Sequence, residues 1–200
     1  MKTQAILMIG AMLIAPSVWA VIHVSHATIR NLEQAIQGEA NATNRYELFS
    51  HKAEQEGYPQ VAKLFRAASE AERIHRENHQ MALLALDGKS VKIKLEPVDV
   101  KNTKQNLEGP IKGEAQERLV MYPQFIKQAE EDKADLVVRT FTFARDTEAE
   151  HEQLFKRALS QFGKNPAEDY YVSKISGDTV AIPVGHSFAN EKGGGYELIS

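Results

Sequence analysis

The chain repeats itself. Residues 31–40 read NLEQAIQGEA and residues 106–115 read NLEGPIKGEA, identical at seven of ten positions with an offset of 75. Glu72-Arg73-Ile74-His75 returns as Glu148-Ala149-Glu150-His151 at an offset of 76. Tyr46 follows Glu39 by seven residues, and Tyr122 follows Glu114 by eight. Each half carries Gly-Glu, then Tyr, then Glu-x-x-His, so the two halves are expected to fold alike.

Each half reads as two helices. Leu32, Ile36, Glu39, Thr43, Tyr46 and Ala53 recur at helical spacing, until Gly57-Tyr58-Pro59 stops the first helix and Pro59 opens the second. Val61, Phe65, Ala68, Glu72, His75 and His79 share one stripe of that second helix. Leu107, Ile111, Glu114, Met121 and Phe125 mark the third helix, with Pro110 expected in its first turn or at a kink. After a Glu130-Glu131-Asp132 turn, Val137, Phe141, Ala144, Glu148, His151 and Phe155 mark the fourth. Short turns make each pair antiparallel. Residues 88–102 look extended and long enough to run the length of a bundle. The expected class is all-α, a four-helix bundle with one long crossover as in ferritin-like bundles, followed by a small irregular or β tail.

The same stripes carry acids. Glu39 lies 18 residues before Gly57 and Glu72 lies 15 after it, so at about 1.5 Å per residue they reach similar heights. Glu114 and Glu148 are placed likewise around the second turn. Carboxylates gathered in a helical interior repel and are driven to bind protons, unless cations lie among them. In Glu-x-x-His the two side chains share a helix face and can offer an oxygen and an imidazole nitrogen to one ion. Two such motifs with one Glu from each remaining helix suit a pair of iron or manganese ions. Of the other histidines, His79, one turn beyond His75, reads as a core or supporting residue. His23, His26, His51 and His186 read as surface or processing residues.

Composition removes several alternatives. There is no cysteine among the 200 residues, which excludes disulfides, thiolate metal sites and thiol catalysis. With 24 basic and 27 acidic residues well mixed, nothing points to nucleic acid. Lys2, the apolar run Ala5 to Ala15, Pro16 and Val18-Trp19-Ala20 read as an export signal cut after Ala20, with a second possible cut after Ala27. Cleavage implies a periplasmic protein free of the membrane. The alternative is an uncleaved inner-membrane anchor, since apolar character persists to Val24.

The pieces GEANATNRY, EGYPQVAKLF, EAERIH, NLEGPIKGEAQERLVMYPQF and DTEAEH resemble a rubrerythrin across residues 28–160. An extra carboxylate three residues after the third-helix Glu, here Glu117, separates rubrerythrins from ordinary ferritins. The resemblance implies two irons, oxo-bridged when oxidised, with Glu72 and Glu148 bridging. Glu39 is then terminal on the first iron, and Glu114 with His151 on the second. Glu117 and His75 exchange as ligands of the first iron, while Tyr46 and Tyr122 hydrogen-bond to ligand carboxylates. The bundle is expected over residues 28–162. Residues 163–200 resemble a rubredoxin module that has lost its cysteines: DYYVSKISG puts Ser173 and Ser176 where two of them would stand. By resemblance the protein is a homodimeric peroxidase that reduces hydrogen peroxide in oxidative-stress defence, with electrons from an external donor protein. The competing expectations are a ferroxidase or iron-storage protein acting with oxygen, and a metal-free helical interaction module.

Overall fold

The computed structural model describes residues 24–186, 188 and 195–200. The expected signal segment, residues 1–20, lies outside them. Helix α1 spans His26–Gln55, α2 Pro59–Asp87, α3 Thr103–Gln116, α4 Tyr122–Glu131 and α5 Asp135–Ser160. A π-helical segment, Glu117–Met121, joins α3 to α4 into one rod. The result is the expected bundle of four rods, with α1 packed on α2 and the α3–α4 rod packed on α5. Among the described residues no helix is long and apolar enough to cross a membrane.

Local chemistry explains the boundaries. The Ser25 hydroxyl caps α1 by accepting from Thr28 N–H at 3.3 Å. Asp132, in the turn between α4 and α5, accepts from Ser25 N–H (2.8 Å), Ser25 Oγ (2.6 Å) and Thr28 Oγ1 (2.7 Å), which ties the start of α1 to the turn of the second hairpin. Pro59 opens α2, and Gly88 closes it in the left-handed conformation at φ 68°. Pro110 is not in the first turn of α3. That helix starts earlier than its apolar stripe, at Thr103 behind an Asn102 cap, so Pro110 is buried inside it.

Residues 88–102 have no regular secondary structure and run along α1. Gln37 donates to Lys94 O at 2.9 Å and accepts from Lys94 N–H at 3.0 Å, and Asn41, one turn on, accepts from Glu96 N–H at 3.1 Å. Side-chain amides thereby satisfy a backbone that no sheet partner serves.

The tail forms a three-stranded antiparallel sheet, β1 (Glu168–Ser173), β2 (Thr179–Pro183) and β3 (Tyr196–Ile199), in the order β2–β1–β3. Tyr170 and Val172 of β1 join the core formed by Tyr46, Phe65 and Phe155. A second apolar cluster, with Leu32, Ile36, Tyr122, Phe125 and Phe141, fills the other end of the bundle. On every rod the acidic positions fall between these two clusters, so a polar slab crosses the bundle between two apolar ends.

Candidate metal centre

Glu39, Glu72, His75, Glu114, Glu148 and His151 are all buried in that slab. Two groups of ligand atoms lie within 4.8 Å of one another: Glu39, Glu72, His75 and Glu148 make one, and Glu72, Glu114, Glu148 and His151 the other. Glu72 and Glu148 belong to both. The half-buried Glu117 belongs to neither, and with Arg45 it lines a groove of about 390 Å³ beside α3.

The histidines face the carboxylates through Nδ1. His75 Nδ1 is 2.8 Å from Glu72 Oε2, and His151 Nδ1 is 3.2 Å from Glu72 Oε1 and 3.6 Å from Glu148 Oε2. The tyrosines reach across the repeat. Tyr46 Oη donates to Glu114 Oε1, and Tyr122 Oη donates to Glu39 Oε1, so each half holds the other half's carboxylate.

Burial lifts the acid of Glu148 well above the usual carboxylate range, with Glu114 and Glu72 adding to the rise. Burial does the same to Glu39, beside Glu72 and Glu117. Glu117 is pushed up to about 8 by burial, then by Glu114 and Glu72. For His151, burial opposes the charge, but Glu72 and Glu114 outweigh it and raise the imidazole to about 9. Burial also opposes the charge on Glu72, yet His151 and His75 hold that carboxyl well below the usual range. The slab therefore needs positive charge, and without metal it takes protons. Glu114 Oε2, both oxygens of Glu148 and His151 Nδ1 are buried with no hydrogen-bond partner. Orphaned atoms of this kind are rare in proteins, and carboxylate oxygens with imidazole nitrogens suit divalent iron or manganese.

The π-helical segment accounts for a mismatch in the repeat. The offset between the halves is 75 up to Glu114 and 76 from Tyr122 onward, so one extra residue lies between them. The segment Glu117–Met121 absorbs it within the helix and returns Tyr122 to the register of Tyr46. Glu117 opens this wider turn.

Sequence reasoning gave His79 its supporting place without its partners, and it missed two further supports. Thr140 Oγ1 lies 2.9 Å from His79 Nδ1, and His79 Nε2 lies 3.2 Å from the Tyr122 hydroxyl, so His79 backs the Tyr122–Glu39 bond. Its partner at the 76-residue offset is Phe155, a difference between the halves that the sequence displays. Arg45 sits over the Tyr46 ring at 5.3 Å. The third support is the tail: His75 Nε2 is 3.0 Å from Ser176 O and His151 Nε2 is 3.2 Å from Thr179 Oγ1. Nothing in local spacing marks these long-range contacts.

Comparison with known proteins agrees with this geometry. Rubrerythrin-1 of Clostridium acetobutylicum is 35% identical over 141 residues, covering 69% of this chain and 72% of its own. The solved structure of fully reduced, all-ferrous nigerythrin superposes with a TM-score of 0.75 at 26% identity, over 94% of this chain and 93% of that chain. Bacterioferritin from Rhodobacter capsulatus shares the fold, with a TM-score of 0.63 at 22% identity over 70% of this chain and 88% of its own. Residues 30–159 match the sequence pattern that defines rubrerythrins. With well over half of its length inside that match and the paired motifs gathered in one buried slab, the chain belongs to the rubrerythrin family.

Proposed function

We propose that the chain holds two iron ions and reduces hydrogen peroxide to water with electrons from an external donor protein. The observation that carries this reading is the buried layer of carboxylates with three orphaned oxygens, facing two imidazole Nδ1 atoms of which that of His151 is orphaned as well. Glu72 and Glu148, common to both atom groups, would lie between the ions. Glu39 and His75 would complete one position, and Glu114 and His151 the other. When bound, the irons supply the two electrons that peroxide reduction consumes.

The protein's own groups do the rest. Tyr46 and Tyr122 hold the outer oxygens of Glu114 and Glu39 in place. The apolar clusters at either end keep bulk water out of the slab. Splitting peroxide into two waters takes up two protons. Glu117, on the groove side of the slab, is placed to pass one of them inward.

Rapid-mixing oxidation of the Fe(II) protein is expected to be much faster with peroxide than with oxygen. Oxygen as the faster oxidant overturns the peroxidase reading in favour of a ferroxidase. The absence of cysteine favours that second reading, because it leaves no thiolate iron in the tail to relay electrons. Peroxidase action goes with a small assembly, expected to be a dimer by size-exclusion mass, and iron storage goes with a shell of many subunits.

Export with a cut after Ala20 is part of the proposal. A cut after Ala27 would fall inside α1 and remove Ser25, with its cap and its bonds to Asp132. Intact-mass analysis of the exported protein is expected to give a chain starting at Val21. A start at Thr28, or an intact Met1, overturns this part.

A further inference from the structure

The histidines of both Glu-x-x-His motifs are backed by one short loop of the C-terminal sheet, between β1 and β2. The Ser176 carbonyl lies 3.0 Å from His75 Nε2. A carbonyl oxygen has no proton to give, so Nε2 carries the proton in that bond. The Thr179 hydroxyl lies 3.2 Å from His151 Nε2, and it donates its own single proton to Gly177 O at 3.0 Å. Toward His151 it can therefore only accept, and again Nε2 carries the proton. Both rings are left presenting Nδ1 to the carboxylates of Glu72 and Glu148.

The loop is built to sit this close. Gly177 has a φ of 82°, and a Cβ there would come within 2.5 Å of His75 Nε2 and 3.3 Å of Ala71 O. Glycine is thus required twice over, for the backbone angle and for the approach. Hydroxyls and backbone groups hold the loop's shape. Ser173 Oγ accepts from Ile175 N–H (3.3 Å), Ser176 N–H (3.2 Å) and Ser176 Oγ (3.0 Å), and Gly177 N–H donates to Ser173 O at 2.9 Å. Two bonds fasten it to the bundle: Asn78 Nδ2 donates to Ile175 O at 2.8 Å, and Thr179 N–H donates to Glu150 Oε2 at 2.9 Å.

We propose that the loop Ser176–Thr179 is a positioning device for the metal centre, with Thr179 fixing His151 and the Ser176 carbonyl fixing His75, so that each imidazole keeps its proton on Nε2 and offers Nδ1 inward. A tail that carries no metal of its own thereby takes part in holding metal in the bundle. The proposal rests on the reading of the slab as a metal site.

The test compares full-length wild type, Thr179→Val and Thr179→Ser in two measurements. The first is the ring N–H signal of His151 in the metal-free, 15N-histidine-labelled protein. Wild type and T179S are expected to show an Nε2–H protected from solvent exchange, and T179V to lose that protection. The second is Co(II) affinity, expected to weaken about ten- to hundredfold in T179V and to return in T179S to within about threefold of wild type. An unchanged Nε2–H and affinity in T179V overturn the proposal, as does a serine variant as impaired as the valine one. If T179V does not fold, T179S decides alone: loss of its protected Nε2–H counts against the hydroxyl. Should wild type bind no Co(II), the metal-site reading falls, while the Nε2–H measurement still decides whether Thr179 orients His151.

Discussion

Replacing Glu148 by glutamine is expected to abolish high-affinity binding of both metal ions while making the metal-free protein more heat-stable. Glu148 contributes to both groups of ligand atoms, so its loss strikes both positions at once. Exchanging an anionic, shared ligand for a neutral amide should weaken metal binding by at least about a hundredfold, at or above the upper end of what loss of a supporting partner costs. Glu39→Gln is the control, because Glu39 belongs to one group only and its loss should spare one ion. Without metal the sign reverses. Glu148 is buried among Glu72 and Glu114 with both oxygens unpartnered and must hold a proton there, so a near-isosteric neutral side chain removes the cost of that proton. In a chain of this size each kcal/mol gained raises Tm by about 2–4 °C. Metal analysis with calorimetry of the metal-free protein checks both halves. If Glu148→Gln keeps two ions per chain, the slab is not the metal site.

The second large effect is the pH dependence of the metal-free protein. Its melting temperature is expected to fall steadily between about pH 5 and 9. Glu39 and Glu148 have folded-state pKa values raised well above 4.5, Glu117 titrates at about 8 and His151 at about 9. Each group binds its proton more tightly folded than unfolded. Its contribution is complete below the unfolded pKa and is lost as pH rises through the folded one. Each proton held only by the folded state lowers stability by about 1.4 kcal/mol per pH unit. Glu72 and His79 run the other way, but the lowered pKa of Glu72 acts only below the ordinary carboxylate range, and His79 offsets a single proton below about pH 6.5. Cations replace these protons, so the metal-loaded protein should show no such fall, and metal uptake should release protons and tighten as pH rises. Calorimetric scans of both forms across this range, with proton release measured in weakly buffered solution, check the sign. A flat metal-free curve would mean that the carboxylates are not crowded as described.

Much of this was legible in the sequence because a helix turns spacing into geometry. Residues three and four apart share a face, so Glu72 with His75 and Glu148 with His151 had to meet, and the repeat supplied their register. The helical turn at Gly57-Tyr58-Pro59 and the crossover at 88–102 followed from backbone chemistry alone. The π-helical segment left only a trace, one surplus residue between Glu114 and Tyr122, and a count cannot say how a chain absorbs an insertion. Pro110 is not in the first turn, one of its two expected places, because an apolar stripe marks where a helix is buried and not where it begins. Thr179, Ser176 and Gly177 were illegible as supports of the histidines. They approach from about 100 and 28 residues away, through a carbonyl and a hydroxyl with no sequence signature.

The crossed tyrosines have a structural corollary. Tyr46 grips the second half's Glu114 and Tyr122 grips the first half's Glu39, which is the reciprocal contact that a two-fold dimer of a single helical hairpin makes. Neither hairpin alone can secure its own acid, so separating the halves would undo both grips together. Joining them in one polypeptide brings a freedom that such a dimer lacks. In a dimer of identical hairpins every substitution appears twice, whereas here one half can carry His79 where the other carries Phe155, and a lone inserted residue can widen one rod and leave its counterpart untouched.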